Sequence, residues 1–457
     1  MEDKQTNSDG ILVGVVSLGC DKNRVDTENM MTYLANEGYN FTSDSSQADI
    51  IIVNTCAFIK SSRNESFDTV EEMINYRKKG KCSCLILTGC YPQRYINELQ
   101  TNFPEVDIFL GVNEYKDICK IIKRFYADKK RKKIIEIDSP YKIDAIEKGR
   151  VITTPSYYAY VKIADGCDNF CSYCTIPYIR GRYRSRKIES IVAETADLVK
   201  NGAKEIILVA QDVANYGIDL YKEKKLTELV QKLSKIDNLE WIRLLYCYPE
   251  NIEDSLIKEL HENKKSCAYI DVPFQHVNNE ILRLMNRKIT KNKIVDLLDK
   301  IRSGDRHIAV RSTFIVGFPG ETKQNFNELL EFLLKYKMPN VGFFAYSRED
   351  GTVAARFDNQ VDEITKKQRL MKAMKVQRKI IAEYNNRFLN KTLKVLVEGQ
   401  DLNKGLYYGR TEYQAPDIDT LTYFESDEPI ELGQFYMVKI NKIKGYDLFG
   451  TEISTKE

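Results

Sequence analysis

Residues 165–174 read DGCDNFCSYC and place Cys167, Cys171 and Cys174 in the spacing C-x3-C-x2-C, with no histidine and no fourth cysteine beside them. Thiolate-rich ligand sets select zinc or iron–sulfur clusters. A structural zinc site takes four ligands, usually from two paired knuckles, and no second knuckle follows. A four-iron cluster held at three corners fits the spacing better, because it leaves one iron open. Iron–sulfur clusters reach potentials of roughly −400 mV and below, low enough for demanding one-electron chemistry. The most specific use of such a loop is to bind S-adenosylmethionine at the open iron through its amino and carboxylate groups. Reductive cleavage then yields a radical able to abstract unreactive hydrogens.

A second set of cysteines is spread along the first ninety residues. The apolar runs ILVGVVSLGC, ADIIIVNTC and CLILTGC end in Cys20, Cys56 and Cys90. Helical patterns at 27–37 and 66–76 lie between them. Such alternation predicts a doubly wound parallel sheet, whose strands deliver their carboxyl ends to one ligand-binding edge. Three thiols distant in sequence can therefore converge, and a second cluster explains them better than three ordinary buried thiols. The glycines before Cys20 and Cys90 permit close backbone approach. Cys82, Cys84, Cys119, Cys247 and Cys267 have no matching placement and read as structural. His276, in PFQHVNN, either faces the site or is a hydrogen-bonded structural residue. The GFPGE stretch at Gly317 either shapes a turn beside S-adenosylmethionine or is a plain strand-to-helix turn.

The elements that must position these residues follow from length and pattern. A chain of 457 residues, 43% hydrophobic and 30% charged, divides into two or three globular domains. No run approaches the roughly 18–20 apolar residues that cross a bilayer, and MEDKQTNSDG lacks a leader pattern. A cytoplasmic protein is expected, its cysteines ligands or free thiols and not disulfides. Residues 1–126 carry the first α/β alternation, and 127–150, containing KKRKK, reads as a linker. From 151 to 386 six strand-like runs alternate with amphipathic helices. This is the pattern of a partial (β/α)6 barrel with its chemistry at the C-terminal strand ends, and the C-x3-C-x2-C loop follows the first of those strands. A long polar helix covers 363–389. Residues 387–457 turn to short strands, as expected of a small antiparallel β-barrel.

SLGC, NTCAFI, TGC, DGCDNFCSYC, IRGRYRSR and VGFPGET, with the terminal small barrel, resemble the radical S-adenosylmethionine methylthiotransferases over nearly the whole chain. The barrel is similar to a TRAM domain. The resemblance implies two 4Fe-4S clusters: one on Cys167, Cys171 and Cys174 that cleaves S-adenosylmethionine, and an auxiliary one on Cys20, Cys56 and Cys90 from which sulfur is delivered. A low-potential electron donor such as flavodoxin or ferredoxin is implied too. Beside the cofactor, Tyr173 is expected to pack on it, Gln211 and Asp212 to contact its amino group or ribose, and Gly317 to shape its pocket.

Members of the family modify either adenosine in transfer RNA or the β-carbon of an aspartate in ribosomal protein S-twelve. SLGCDKNRVDTE, NTCAFIKSSRNES, YIDVPFQHVNNEILRLMNR and FFAYSREDGTVAARFDNQV look most like the aspartate-modifying branch. Asp21 departs from it by replacing a usual proline, and Val213-Ala214 replaces a more polar pair. Charge adds a separate reason. Residues 401–433 contain the eight acids Asp401, Glu412, Asp417, Asp419, Glu425, Asp427, Glu428 and Glu431 against two bases, Lys404 and Arg410. A surface that grips RNA phosphates should be basic, whereas an acidic barrel suits a basic ribosomal protein or is simply a solvated face. The alternative expectation is a 2-methylthiotransferase of tRNA adenosine.

Overall fold

The computed structural model describes residues 10–138 and 145–453. Six parallel strands, β1 (Leu12–Ser17), β2 (Asn40–Thr42), β3 (Ile50–Thr55), β4 (Cys84–Gly89), β5 (Ile108–Leu110) and β6 (Ile134–Glu136), make the first sheet in the order β2-β1-β3-β4-β5-β6. Every residue of β3 and β4 is buried, because helices cover both faces. Strand order reverses between β1 and β3, where ligands bind in such sheets. Cys20 lies just beyond β1, Cys56 follows β3 and Cys90 follows β4. The charged segment 127–150 is not wholly a connection, because its Ile134–Glu136 pairs with β5 as an edge strand. Three residues between charge blocks carry too little periodicity to stand out as a strand, and the neighbouring strand supplies their register.

The central unit contains β7 (Tyr158–Lys162), β8 (Ala164–Asp165), β9 (Arg184–Ser185), β10 (Glu205–Val209), β11 (Trp241–Leu244), β12 (Tyr269–Asp271), β13 (Ala309–Val316) and β14 (Asn340–Ala345). Two parallel sheets, β11-β10-β7 and β12-β13-β14, meet through an Ile242–Ser266 bridge and form the expected partial barrel. β8 and β9 pair as a short ribbon next to the cysteine loop. One side of the strands, including Val161, Leu208, Ile270 and Phe314, packs in the main hydrophobic core. Residues of the other side, including Tyr158, Tyr160, Trp241 and Tyr269, pack with Leu396 and Ala415 of the terminal barrel.

That barrel closes through β15 (Thr392–Asp401), β16 (Leu406–Arg410), β17 (Thr422–Glu425), β19 (Asp447–Glu452) and β18 (Phe435–Lys444). It differs from an all-antiparallel barrel in one seam, because β17 and β19 run parallel. Buried charges dock it on the central unit. Arg410 donates to Glu205 at 2.7 Å and Glu398 at 2.8 Å, and Arg243 donates to Glu205 at 2.6 Å. Arg306 pairs with Glu412 and Arg311 lies 3.9 Å from Asp419, while at the surface Arg24 of the N-terminal unit lies 4.0 Å from Asp417.

Three of the acids expected to face a basic partner therefore bind arginines of this chain, and Asp401 pairs with Lys404 at 2.6 Å. Glu425, Asp427, Glu428 and Glu431 remain as the outward acidic set. No described helix is long and apolar enough to cross a membrane.

Candidate functional site

Gly166 turns the chain from β8 into the C-x3-C-x2-C loop. Its φ is +81°, and a Cβ there would lie 2.1 Å from the Arg182 carbonyl oxygen, so only glycine fits. The Cys167 amide donates to the Gly181 carbonyl at 3.1 Å, the Cys174 amide to the Cys171 carbonyl at 2.9 Å, and the Ser172 hydroxyl to the Leu284 carbonyl at 2.7 Å. Cys174 Sγ accepts from the Ile176 amide at 3.4 Å, and Cys171 Sγ lies 3.3 Å from Tyr248 Oη.

The strand-end triad is built by the same device. Gly19 (φ +92°) precedes Cys20, and a Cβ on it would meet Cys56 Cβ at 2.7 Å. Gly89 (φ +96°) precedes Cys90, and a Cβ there would meet Asn54 Oδ1 at 2.2 Å. Asn23, in helix Asp21–Asn36, donates to the carbonyls of Leu18 at 3.1 Å and Thr55 at 3.0 Å, which ties two strand ends together. Its Oδ1 faces the Cys90 thiol at 3.7 Å. Cys20 is exposed, whereas Cys56 and Cys90 are buried.

Burial pushes the Cys90 thiol up to about 12, with Cys56 and Cys20 adding to the rise against Arg180, and raises Cys56, with Cys20 adding. Burial likewise pushes Cys167 up to about 12 and Cys174 well above the usual thiol range, and their neighbour Cys171 adds to both. Such thiols ionise when a cationic group joins them, the proton-releasing coupling expected of metal ligands. Soft, thiolate-only donor sets of three fit iron–sulfur clusters. Among the described residues no three cysteine, histidine or carboxylate side chains converge on a single ion. A cluster does not ask for that, because each thiolate takes its own iron.

Arg180 connects the strand-end triad to the helix that follows the cysteine loop. It ends the short helix Ile176–Arg180, which begins two residues after Cys174, and it reaches across the domain seam. Its Nη2 lies 3.6 Å from Cys90 Sγ and donates to Asn23 Oδ1; its Nη1 donates to Asp26 at 2.5 Å and Asp165 at 3.3 Å. Lys162 pairs with the same two acids. Burial alone would raise Asp165, yet Lys162 and Arg180 hold it well below the usual carboxylate range. Arg180, Lys162 and Asp26 do not stand out in the sequence, because Arg180 and Asp26 sit among other charges, Lys162 is a single charge in a strand, and the pairs that Arg180 and Lys162 form with Asp26 cross between domains.

The remaining expected site residues fall around the loop. Gln211 donates to Asp165 Oδ1 at 2.8 Å. Asp212 is buried, accepting from Asn169 at 3.1 Å, Asn251 at 2.7 Å and the Tyr248 amide at 3.3 Å. Burial raises it to about 6. Its oxygens are thus engaged within the protein, bracing the loop through Asn169. The ring of Tyr173 stands edge-on to Phe318, 6.4 Å between centroids. Gly317, with φ +70°, passes so close to Lys366 that a Cβ would lie 2.4 Å from its Cγ. Its amide donates to Glu321, so the turn needs glycine for its own geometry. His276 is fully buried, with Nδ1 accepting from the Asn278 amide at 3.0 Å, which agrees with its structural reading.

Comparison with known proteins bears on the same three units. Residues 12–111 match the uncharacterized protein family UPF0004, 161–333 the radical SAM superfamily and 391–453 the TRAM domain. The chain is 48% identical over 440 residues to the ribosomal protein uS12 methylthiotransferase RimO of Clostridium botulinum (strain Eklund 17B / Type B), covering 96% of this chain and 97% of that one. It is 46% identical over 447 residues to the RimO of Acetivibrio thermocellus, covering 97% and 98%. Among solved structures, the radical S-adenosylmethionine methyltransferase TsrM of Kitasatospora setae aligns with a TM-score of 0.52 at 15% identity, over 73% of this chain and 75% of that one. At that identity the likeness concerns fold alone. With the relatives matched from end to end, the three units in the same order and the C-x3-C-x2-C loop at the mouth of the barrel, this chain belongs to the RimO family of radical S-adenosylmethionine methylthiotransferases.

Proposed function

We propose that this chain inserts a methylthio group at the β-carbon of an aspartate in uS12, the S-twelve protein. Cys167, Cys171 and Cys174 would hold the cluster that binds S-adenosylmethionine, and Cys20, Cys56 and Cys90 an auxiliary 4Fe-4S cluster from which sulfur is delivered. The observation that carries this reading is that two thiol triads from separate domains meet at one seam, with Arg180 touching a thiol of one and ending the helix that follows the other. When bound, the first cluster and S-adenosylmethionine supply the radical that removes an unreactive hydrogen.

The chain's own residues prepare that chemistry. Gly19, Gly89 and Gly166 let the loops close, and Asp212 and Gln211 brace the cysteine loop and Asp165. Tyr173 with Phe318 and Tyr346 forms an aromatic wall beside the loop. The units proposed are 1–126, 151–386 and 387–457, working in the cytoplasm with a low-potential donor such as flavodoxin or ferredoxin. One observation favours tRNA as a second reading: a TRAM domain whose acids in part bind inward no longer argues against RNA.

Cys56→Ala tests the division of labour. Reductive cleavage of S-adenosylmethionine should persist while methylthiolated product disappears, and bound iron should fall by about half; equal loss of both activities would contradict two separate sites.

A further inference from the structure

We propose that Lys22 binds the carboxylate of the substrate side chain and holds it beside Cys20. The inference rests on the aspartate substrate proposed above. Lys22 is the second residue of helix Asp21–Asn36 and is only 7% exposed. Its Nζ lies 2.9 Å from Asp21 Oδ1 and 3.4 Å from the ring centroid of Tyr246, which belongs to the barrel domain and lies just beyond β11. Tyr246 Oη in turn lies 3.3 Å from Asp21 Oδ1. The ammonium therefore sits in the seam between the domains, two residues from one proposed ligand of the auxiliary cluster.

Burying an ammonium costs several kcal/mol unless partners compensate for lost water. Two other buried cations in the seam, Lys162 and Arg180, share two acids, Asp26 and Asp165, and Arg243 beside it pairs with Glu205. Lys22 has its own neighbour, Asp21, whose Oδ2 is buried without a hydrogen-bond partner. An ammonium has three donors. Asp21 takes one and the Tyr246 face shields one side by cation–π attraction, which leaves donor capacity for another carboxylate oxygen. Lys22 and Asp21 are themselves buried, and Cys20, two residues before the lysine, is the exposed thiol of its triad, so a side chain held at Cys20 comes to the edge of this pair. In an aspartate the carboxylate is bonded directly to the β-carbon, so fixing one places the other near the sulfur source. Adenine offers no carboxylate, so Lys22 also selects the class of substrate.

The test uses the full chain with both clusters reconstituted, and two forms of uS12: unaltered, or with its modified aspartate replaced by asparagine. Failure of the wild-type enzyme to methylthiolate unaltered uS12 overturns the substrate reading, and the Lys22 assignment falls with it. Given turnover, Lys22→Met should lower kcat/KM by about 10- to 100-fold, the loss expected for a hydrogen bond to a charged group. It should also abolish the enzyme's binding preference for the aspartate form, while bound iron and substrate-free cleavage of S-adenosylmethionine stay at wild-type levels. A Lys22→Met enzyme that keeps both the preference and its iron overturns the assignment alone. If Lys22→Met loses iron, Lys22→Arg decides: the preference must survive in that charge-conserving variant, and its loss contradicts carboxylate binding.

Discussion

Cys90 stands apart in its triad because a guanidinium reaches it: Arg180 Nη2 lies 3.6 Å from its sulfur and partly offsets the rise that burial causes. N–H contacts of this kind orient ligands and tune the centre they hold. His276 shows burial acting on a base. It is fully buried, and burial holds it down to about 3. The folded protein therefore keeps it neutral where the unfolded chain takes up a proton below about 6.5. Its contribution is intact above pH 6.5 and is lost as pH falls toward 3. Between pH 7.5 and 5.5 this one group should cost about 1.4 kcal/mol of stability. His276→Gln should remove that part of the pH dependence in urea unfolding, and an unchanged slope would show that the ring is protonated in the folded state. The cysteines were legible one by one because C-x3-C-x2-C and three strand ends are local patterns. Arg180, Lys22 and Asp26 were not, since each gains meaning from a partner more than a hundred residues away.

The elements were legible where pattern is long. The three strands that end at the N-terminal cysteines and the six barrel strands of the central unit announce themselves as apolar runs, and the structure finds them there, whereas the three-residue strands β2 and β5 do not stand out. β6, a three-residue edge strand, and β19, set off from β18 by a tight turn at Gly445, carry too few alternating positions to be separated from connections. Charge placement was the least legible feature. Glu412, Asp417 and Asp419 look like a surface in sequence and serve as contacts between units in the structure. The strongest such contact is Glu205, which is fully buried and shared by Arg243 and Arg410. Glu205→Ala would leave two buried guanidiniums short of a carboxylate, so a loss of about 3–5 kcal/mol is expected, as for other broken buried pairs. Chemical denaturation followed by the single tryptophan, Trp241, beside this cluster would register it. A change under 1 kcal/mol would mean that the barrel docks by its apolar contacts alone.

At the scale of the whole molecule, the three units meet along shared seams. The N-terminal sheet meets the partial barrel at the cysteine triads, and the terminal barrel packs against the strand side chains that face away from the main core. In the proposed function the radical formed at the loop triad acts across this seam, where Cys20 is the exposed thiol. Substrate identity tests this arrangement most directly. The chain should be expressed in a host lacking its own methylthiotransferases, and uS12 and the tRNA nucleosides from the same cells analysed by mass spectrometry. A methylthio group on a uS12 aspartate with unmodified tRNA is the predicted result. Methylthiolated adenosine with unmodified uS12 would keep the two-triad chemistry and contradict the substrate assigned to it.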